Sequence, residues 1–245
     1  MGPDFWREVP TVFRALDRDA DVRAIIVRGD GGNFSYGLDL VGMGGELGPF
    51  FMGTPLAKER TDLLDMIADL QGAFNAIAEC RKPVVAAVTG WCIGGGVDMI
   101  TACDVRLCAE GARFSVREVK VAMVADLGSL QRLPRIVGEG HARELALTGK
   151  DIDAARALRI GLVNDVYENE TKLLDAARAL ALAMAENPPL VVQGVKRVMN
   201  ARTERETADG LRTVALWNSA FLVSEDLREA LTAFAQKRAP KFAGK

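Results

Sequence analysis

The sequence predicts an α/β protein with parallel strands, and three observations carry that expectation. Short apolar or β-branched runs, "RAIIVRG", "KPVVAAVTG" and "DVRLCAE", read as strands. They alternate with segments whose apolar residues recur at helical spacing, and glycine-rich turns separate the two kinds. Alternation of this sort implies crossover connections and hence a sheet covered by helices. The 245 residues suit one large domain or a domain with an appendage.

In chain order, Phe5, Val9, Val12, Phe13 and Leu16 follow Pro3 at helical spacing, with Asp4 as the expected N-cap. The strand "RAIIVRG" is closed by "GDGG". Residues 41–60 are rich in Gly, Met and Phe without periodicity, which predicts a mobile flap whose apolar side chains line a tunnel. From Thr61, the positions Leu63, Ile67, Leu70, Phe74 and Ile77 mark an amphipathic helix that stops before Pro83. "KPVVAAVTG" follows as a buried strand, Gly94–Gly96 open the next helix, and "DVRLCAE" and "RFSV" return to extended chain. "SLQRLPRIVG", "HARELALTG" and "DAARALRIG" read as short helices closed by glycine. "LVNDVY" is a further strand, and a long Ala/Leu helix spans about 170–186. Beyond Asn187 the pattern is helix only, so residues 1–186 are expected to form the core and 187–245 a helical oligomerisation segment.

Composition narrows the function. Hydrophobic residues at 49% and charged residues at 26% exclude a disordered or fibrous chain. A net charge of −2 supplies no electrostatic footprint for nucleic acid. No apolar run has the length of roughly 18 residues that a membrane span needs, and "MGPDFWREVP" lacks the features of a signal peptide. A soluble, cytoplasmic protein is expected. Cys80, Cys92, Cys103 and Cys108 lie in or beside apolar runs without CxxC spacing, so they read as reduced and buried. His141, the one histidine, has no supporting cluster of acids or cysteines and is expected to be structural, with no metal site.

Three stretches concentrate the chemistry. "WCIGGGVDMI" places Gly94, Gly95 and Gly96 at a helix N-terminus, where free N–H groups and a partial positive charge stabilise an anion and missing Cβ atoms permit close approach. Neither GxxxxGK[ST] nor GxGxxG matches, so an oxyanion site fits better than a phosphate cradle. "NFSYGLDL" offers the Tyr36 amide and the flexible Gly37 on a loop after a strand. "VREVKVAMVADLGSL" contributes Glu118 and Asp126, each flanked by apolar residues that should raise their pKa toward the range of proton transfer. Asp98 lies in the first turn after the triplet, where the helix dipole should favour its ionised form.

Taken in order, "NFSYGLDL", "KPVVAAVTGWCIGGGVDMITACDVRLC" and "RFSVREVKVAMVADLGSLQRLPRIVG" resemble the crotonase superfamily of enoyl-CoA hydratases and isomerases over nearly the whole chain. The resemblance implies a spiral of ββα turns, a C-terminal helical subdomain, and assembly as a homotrimer or homohexamer. It implies an acyl-coenzyme A substrate and no separate cofactor. Tyr36 and Gly95 become the amide donors of an oxyanion hole, Gly37, Gly94 and Gly96 substrate-lining positions, and Lys241, with Lys237 and Arg238, candidates for the coenzyme A phosphates. Lys82 is a weaker candidate, since a charge before a buried strand is more often a surface residue.

Hydratases of the family usually carry glutamate where this chain has Asp98, and commonly glycine where it has Asp126. Three acids in "GGGVD", "REVKV" and "ADLGSLQRLP" are instead similar to the dienoyl-CoA isomerase branch, which converts 3,5-dienoyl to 2,4-dienoyl thioesters in fatty-acid β-oxidation. In that scheme Asp126 removes a proton beside the thioester and Glu118 delivers one four carbons away, or the two exchange roles, and Asp98 orients or tunes the pair. The alternatives are a 2-enoyl-CoA hydratase using Asp98 and Glu118, and a non-catalytic coenzyme A- or RNA-binding scaffold. The family's usual opening strand and Asn-Ala-Met loop have no counterpart before Met1 beyond the methionine itself, which leads to the expectation of a shortened edge and a reduced nucleotide contact.

Overall fold

In a computed structural model describing residues 1–51, 53 and 55–245, the strands and helices alternate as expected. Strand β2 (Val84–Val88) is buried at every position. It lies between β1 (Ile25–Arg28) and β4 (Val105–Ala109), and β7 (Asp165–Tyr167) completes a parallel sheet of order β1-β2-β4-β7. Burial on both faces explains why β2 reads as an unbroken apolar run rather than an alternating one. Val84, Ala86 and Val88 face the main core, whereas Val85 and Ala87 face Leu173 and Ala177 of α8 (Glu170–Ala185).

A second sheet stacks beside the first. It contains β3 (Trp91–Ile93), β5 (Arg113–Ser115) and β6 (Ile152–Asp153), with β3 and β5 parallel. The chain enters one sheet at β2, crosses to the other at β3, and continues into helix α4 (Gly95–Ala102). It repeats the move through β4, β5 and α5 (Ser129–Val137), which is the expected ββα spiral.

Helices close the core. α1 (Pro3–Arg18) packs Trp6 against Phe74 of α3 (Ala57–Glu79), with ring centroids 5.4 Å apart in an edge-on arrangement. Its N-cap is Gly2, and Asp4 instead lies in the first turn, paired with Arg7. α6 (Glu139–Thr148) and α7 (Ala154–Arg159) match the short glycine-closed segments. His141 sits on α6 beside Arg156 and Glu144 in a partly exposed charge cluster. The four cysteines are free and buried, and no cluster able to bind a metal occurs among the described residues.

The expected flap is largely not a loop. Residues 44–51 form helix α2 (Gly44–Phe51), and Met43, Leu47, Phe50 and Phe51 are buried in the main core. Met52 and Thr54, within the same stretch, lie outside the described residues. α3 begins at Ala57, four residues before the expected start at Thr61. The last helices, α9 (Pro189–Ala201), α10 (Glu204–Phe221) and α11 (Glu225–Ala235), follow the helix-only pattern. α10 buries Leu211, Val214, Ala215 and Asn218 against the body of the fold. No helix among the described residues is long and apolar enough to cross a membrane.

Candidate active site

Two backbone turns meet where the first sheet hands over to the second. After β1 the loop is laced to the β2–β3 connection: Phe34 N–H donates to Thr89 O, Ser35 N–H to Trp91 O, and Ile93 N–H to Ser35 O, all at 2.8–2.9 Å. These bonds hold Gly37 against the glycine triplet. At φ +83°, a Cβ on Gly37 would lie 2.9 Å from Ile93 O and 3.2 Å from Gly95 N, so the contact is backbone on backbone and only glycine permits it. Gly94 N–H is bonded to Ser115 O, whereas the Tyr36 and Gly95 amides donate to no other group among the described residues. The Tyr36 side chain is exposed, and the Met1 thioether rests against Gly95. Gly96 is walled in by Ser35 and Cys92.

The acids gather around this turn. A Cβ on Gly94 would be 3.0 Å from Glu118 Oε1, so the carboxyl lies directly over the bare backbone. Glu118 opens a single 3₁₀ turn (Glu118–Val121), and although the residue is partly exposed, its Oε2 is sealed from solvent without a hydrogen-bond partner. Burial, then the charges of Asp98 and Asp126, push its pKa up to about 8. A protonated carboxyl is what such an unpartnered site favours.

Asp126 sits on the loop leading into α5. Its Oδ2 accepts a 2.7 Å bond from Asn218 Nδ2, and its backbone oxygen accepts one of 2.7 Å from Gln71 Nε2. Burial raises its pKa to about 7; the Asn218 bond pulls down against that, and the Asp98 charge adds to the rise.

Asp98 is 1% exposed, and its Oδ1 accepts a 2.6 Å bond from Ser129 N–H at the start of α5. The dipole that serves it is therefore that of α5, as well as that of its own helix. The expectation of a stabilised ionised form is nevertheless overturned. Burial raises its pKa to about 6, outweighing the Ser129 bond and the buried Arg132 guanidinium. Arg132 itself is held by Asn75, whose Oδ1 accepts a 2.6 Å bond.

Other expected residues lie elsewhere. Lys82 is buried rather than on the surface, its Nζ donating to Asp19 O at 3.0 Å. Lys241 lies in the tail folded over α11, where its amide donates to Glu229. Arg238 is paired with both oxygens of Glu229 at 2.5 and 2.8 Å. Asn218, Gln71, Ser129 and Arg132, which orient or polarise the acids, are not singled out by the sequence.

Residues 2–245 match the family model described as enoyl-CoA hydratase/isomerase. The chain is 46% identical to the mitochondrial Delta(3,5)-Delta(2,4)-dienoyl-CoA isomerase of Dictyostelium discoideum, over 99% of this chain and 82% of that one. It is 44% identical to the peroxisomal enzyme of the same name from Arabidopsis thaliana, over 98% and 86%. The structure superimposes on an enoyl-CoA hydratase/isomerase from Pseudoalteromonas atlantica T6c with a TM-score of 0.84 at 27% identity, covering 99% of this chain and 90% of that one. The mitochondrial and peroxisomal settings of the two relatives overturn the expectation of a cytoplasmic protein. Composition is common to all these compartments and carries no address.

Proposed function

The chain belongs to the enoyl-CoA hydratase/isomerase family, and from that premise we propose that it isomerises 3,5-dienoyl-CoA thioesters to 2,4-dienoyl-CoA thioesters. It is an enzyme of fatty-acid metabolism whose substrate carries coenzyme A. The observation that carries the reading is the trio of Asp98, Glu118 and Asp126 beside the glycine turn, each pushed above its ordinary pKa and to a different value.

The Tyr36 and Gly95 amides receive the thioester oxygen. Preorganised donors of this kind act where charge develops, and losing one typically costs about 2.7 to 4 kcal/mol of barrier. Asp126 as carboxylate takes a proton from C2, and the electron pair spreads through the C3=C4 and C5=C6 bonds into the thioester oxygen. Glu118 as carboxylic acid gives its proton to C6, and the double bonds come to rest at C2=C3 and C4=C5. Asp98 supplies a negative charge that keeps the neighbouring acids basic. The cycle ends with Asp126 protonated and Glu118 ionised, and exchange with solvent resets both. Nothing is oxidised or reduced, so no cofactor beyond the substrate's own coenzyme A is assigned. Gly37, Gly94 and Gly96 let the two turns and the Glu118 carboxyl close up against one another and so shape the wall beside which the acyl chain is assigned, and Lys241 is assigned to the coenzyme A end.

Exposed apolar residues on α9 and α10 support a homotrimeric or homohexameric assembly. The test of the reaction is a defined 3,5-dienoyl-CoA, followed by absorbance and product identification, with crotonyl-CoA alongside. Formation of the 2,4-diene supports the proposal. Hydration of crotonyl-CoA without diene turnover would replace it with the hydratase reading.

A further inference from the structure

We propose that Asn218, on α10, is a positioning residue that selects Asp126 as the base of the proton shift and aims its free oxygen at the substrate. The proposal rests on the isomerase reading above and adds to it a residue from the helical segment.

Asn218 is 2% exposed, and its Nδ2 group makes two bonds, one of 2.7 Å to Asp126 Oδ2 and one of 2.9 Å to Val124 O. Both amide hydrogens are thus committed to one short stretch of chain. A second tether comes from the same helix. Gln71 Nε2 bridges Asp126 O at 2.7 Å and Leu211 O at 3.1 Å. Leu211 and Asn218 are seven residues apart (218 minus 211), two turns along one face of α10. The loop between the 3₁₀ turn and α5 has no sheet or helix of its own to fix it, so these bonds set where the Asp126 carboxyl stands.

The chemistry of the bond gives it direction. A donor on a carboxylate oxygen favours the ionised form, and it engages Oδ2 only, leaving Oδ1 with no partner among the described residues. Glu118 Oε2 has no donor at all. The charged groups facing Asp126 are Asp98 from α4 and Glu118 from the 3₁₀ turn, with Arg132 of α5 acting on Asp98 behind them. Burial and the Asp98 charge oppose ionisation of Asp126, and the Asn218 amide counters them. Asn218 therefore decides which of two neighbouring acids opens the reaction.

The experiment uses the full-length enzyme with Asn218→Ala and the isosteric Asn218→Asp, and reads kcat and KM against pH with 3,5-dienoyl-CoA. Loss of a hydrogen bond to a charged group should move the acidic midpoint of kcat upward by about one pH unit in Asn218→Ala. Asn218→Asp, which replaces the donor by an acceptor, should shift it further, with KM changed less than about twofold. A fall in kcat and thermal stability with an unmoved midpoint would overturn the proposal and make Asn218 merely structural. Should neither variant fold, carboxyl ¹³C titration of the wild type decides: Asp126 must ionise before Glu118, and the reverse order overturns the idea. Absence of diene turnover in the wild type, or full activity in Asp126→Asn, would instead strike the isomerase reading itself.

Discussion

Between the pKa of Asp126 near 7 and that of Glu118 near 8, Asp126 is ionised while Glu118 keeps its proton, the states that the proposed base and acid require. Turnover should rise as pH passes the first value and fall as it passes the second, giving a bell whose flat top is narrow. Asp126→Asn and Glu118→Gln should each lower kcat by about 10² to 10⁴. Asp98→Asn should move both limbs of the bell to lower pH, because a negative charge that raises both neighbours is gone; a profile that stays in place would remove Asp98 from the trio. The same burial acts on stability. The pKa of Glu118 is raised above its ordinary 4.5, so the folded state holds that proton more tightly than the unfolded chain. Its contribution is full below about 4.5 and is lost as pH rises through about 8. Glu118→Gln should therefore melt higher than wild type above that pH, by about 2 to 4 °C for each kcal/mol relieved, with the difference vanishing in acid. An activity loss accompanied by a stability gain is the signature of an acid kept buried for its chemistry.

Gly94 shows at the scale of an element why the strand-to-helix turn is bare. Its φ of 54° and ψ of −119° lie where side chains are strained, and a Cβ would meet Glu118 Oε1 at 3.0 Å. Gly94→Ala should cost about 1 to 3 kcal/mol in urea unfolding and displace the acid from the turn, with a matching loss of kcat. Gly95→Ala should unfold at a urea concentration closer to wild type, since the one tight contact of its Cβ is with the flexible end of Met1, Gly37 Cα lies at an ordinary 3.7 Å, and its backbone is helical. Equal losses in the two would show that the turn, not the acid, sets the requirement. Much of this was legible in the sequence, because β2 and α3 carry their apolar positions in unambiguous order and glycine marks the turn. α2 was not. "GGELGPFF" has three glycines and a proline, which disfavour helix locally, and the burial of Leu47, Phe50 and Phe51 overrides that preference. Glu118 and Asp126 were legible as acids flanked by apolar neighbours, and Asp98 by its place in the first turn after the glycine triplet. Their supports were not: Asn218 is 92 residues from Asp126 and Ser129 is 31 from Asp98, pairings that only the closed fold creates. The misjudged ionisation of Asp98 has the same origin, since position in a helix was visible and complete burial was not.

For the molecule as a whole, α10 joins the site to the surface. Asn218 points inward to Asp126, while its neighbours Leu216, Trp217 and Phe221 are left exposed, with the Trp217 and Phe221 rings 4.7 Å apart. Leu190, Val191, Val195, Val198 and Met199 extend an apolar surface along α9. Side chains of that size, uncovered on adjacent helices, cost solvation free energy unless another subunit removes them from water. Copies of this chain joined through these helices would hold α10 from outside as Gln71 and Asn218 hold it from inside. Light scattering should give a mass of three or six chains, and Trp217→Glu combined with Phe221→Glu should reduce it to one. Because α10 anchors both Asp126 and Gln71, the dissociated chain should also lose about tenfold in kcat, equivalent to about 1.4 kcal/mol of barrier, while keeping its helical signal. A single-chain mass for the wild type would refute the assembly. A dissociated variant with full activity would show that the inner hydrogen bonds alone suffice to place the base.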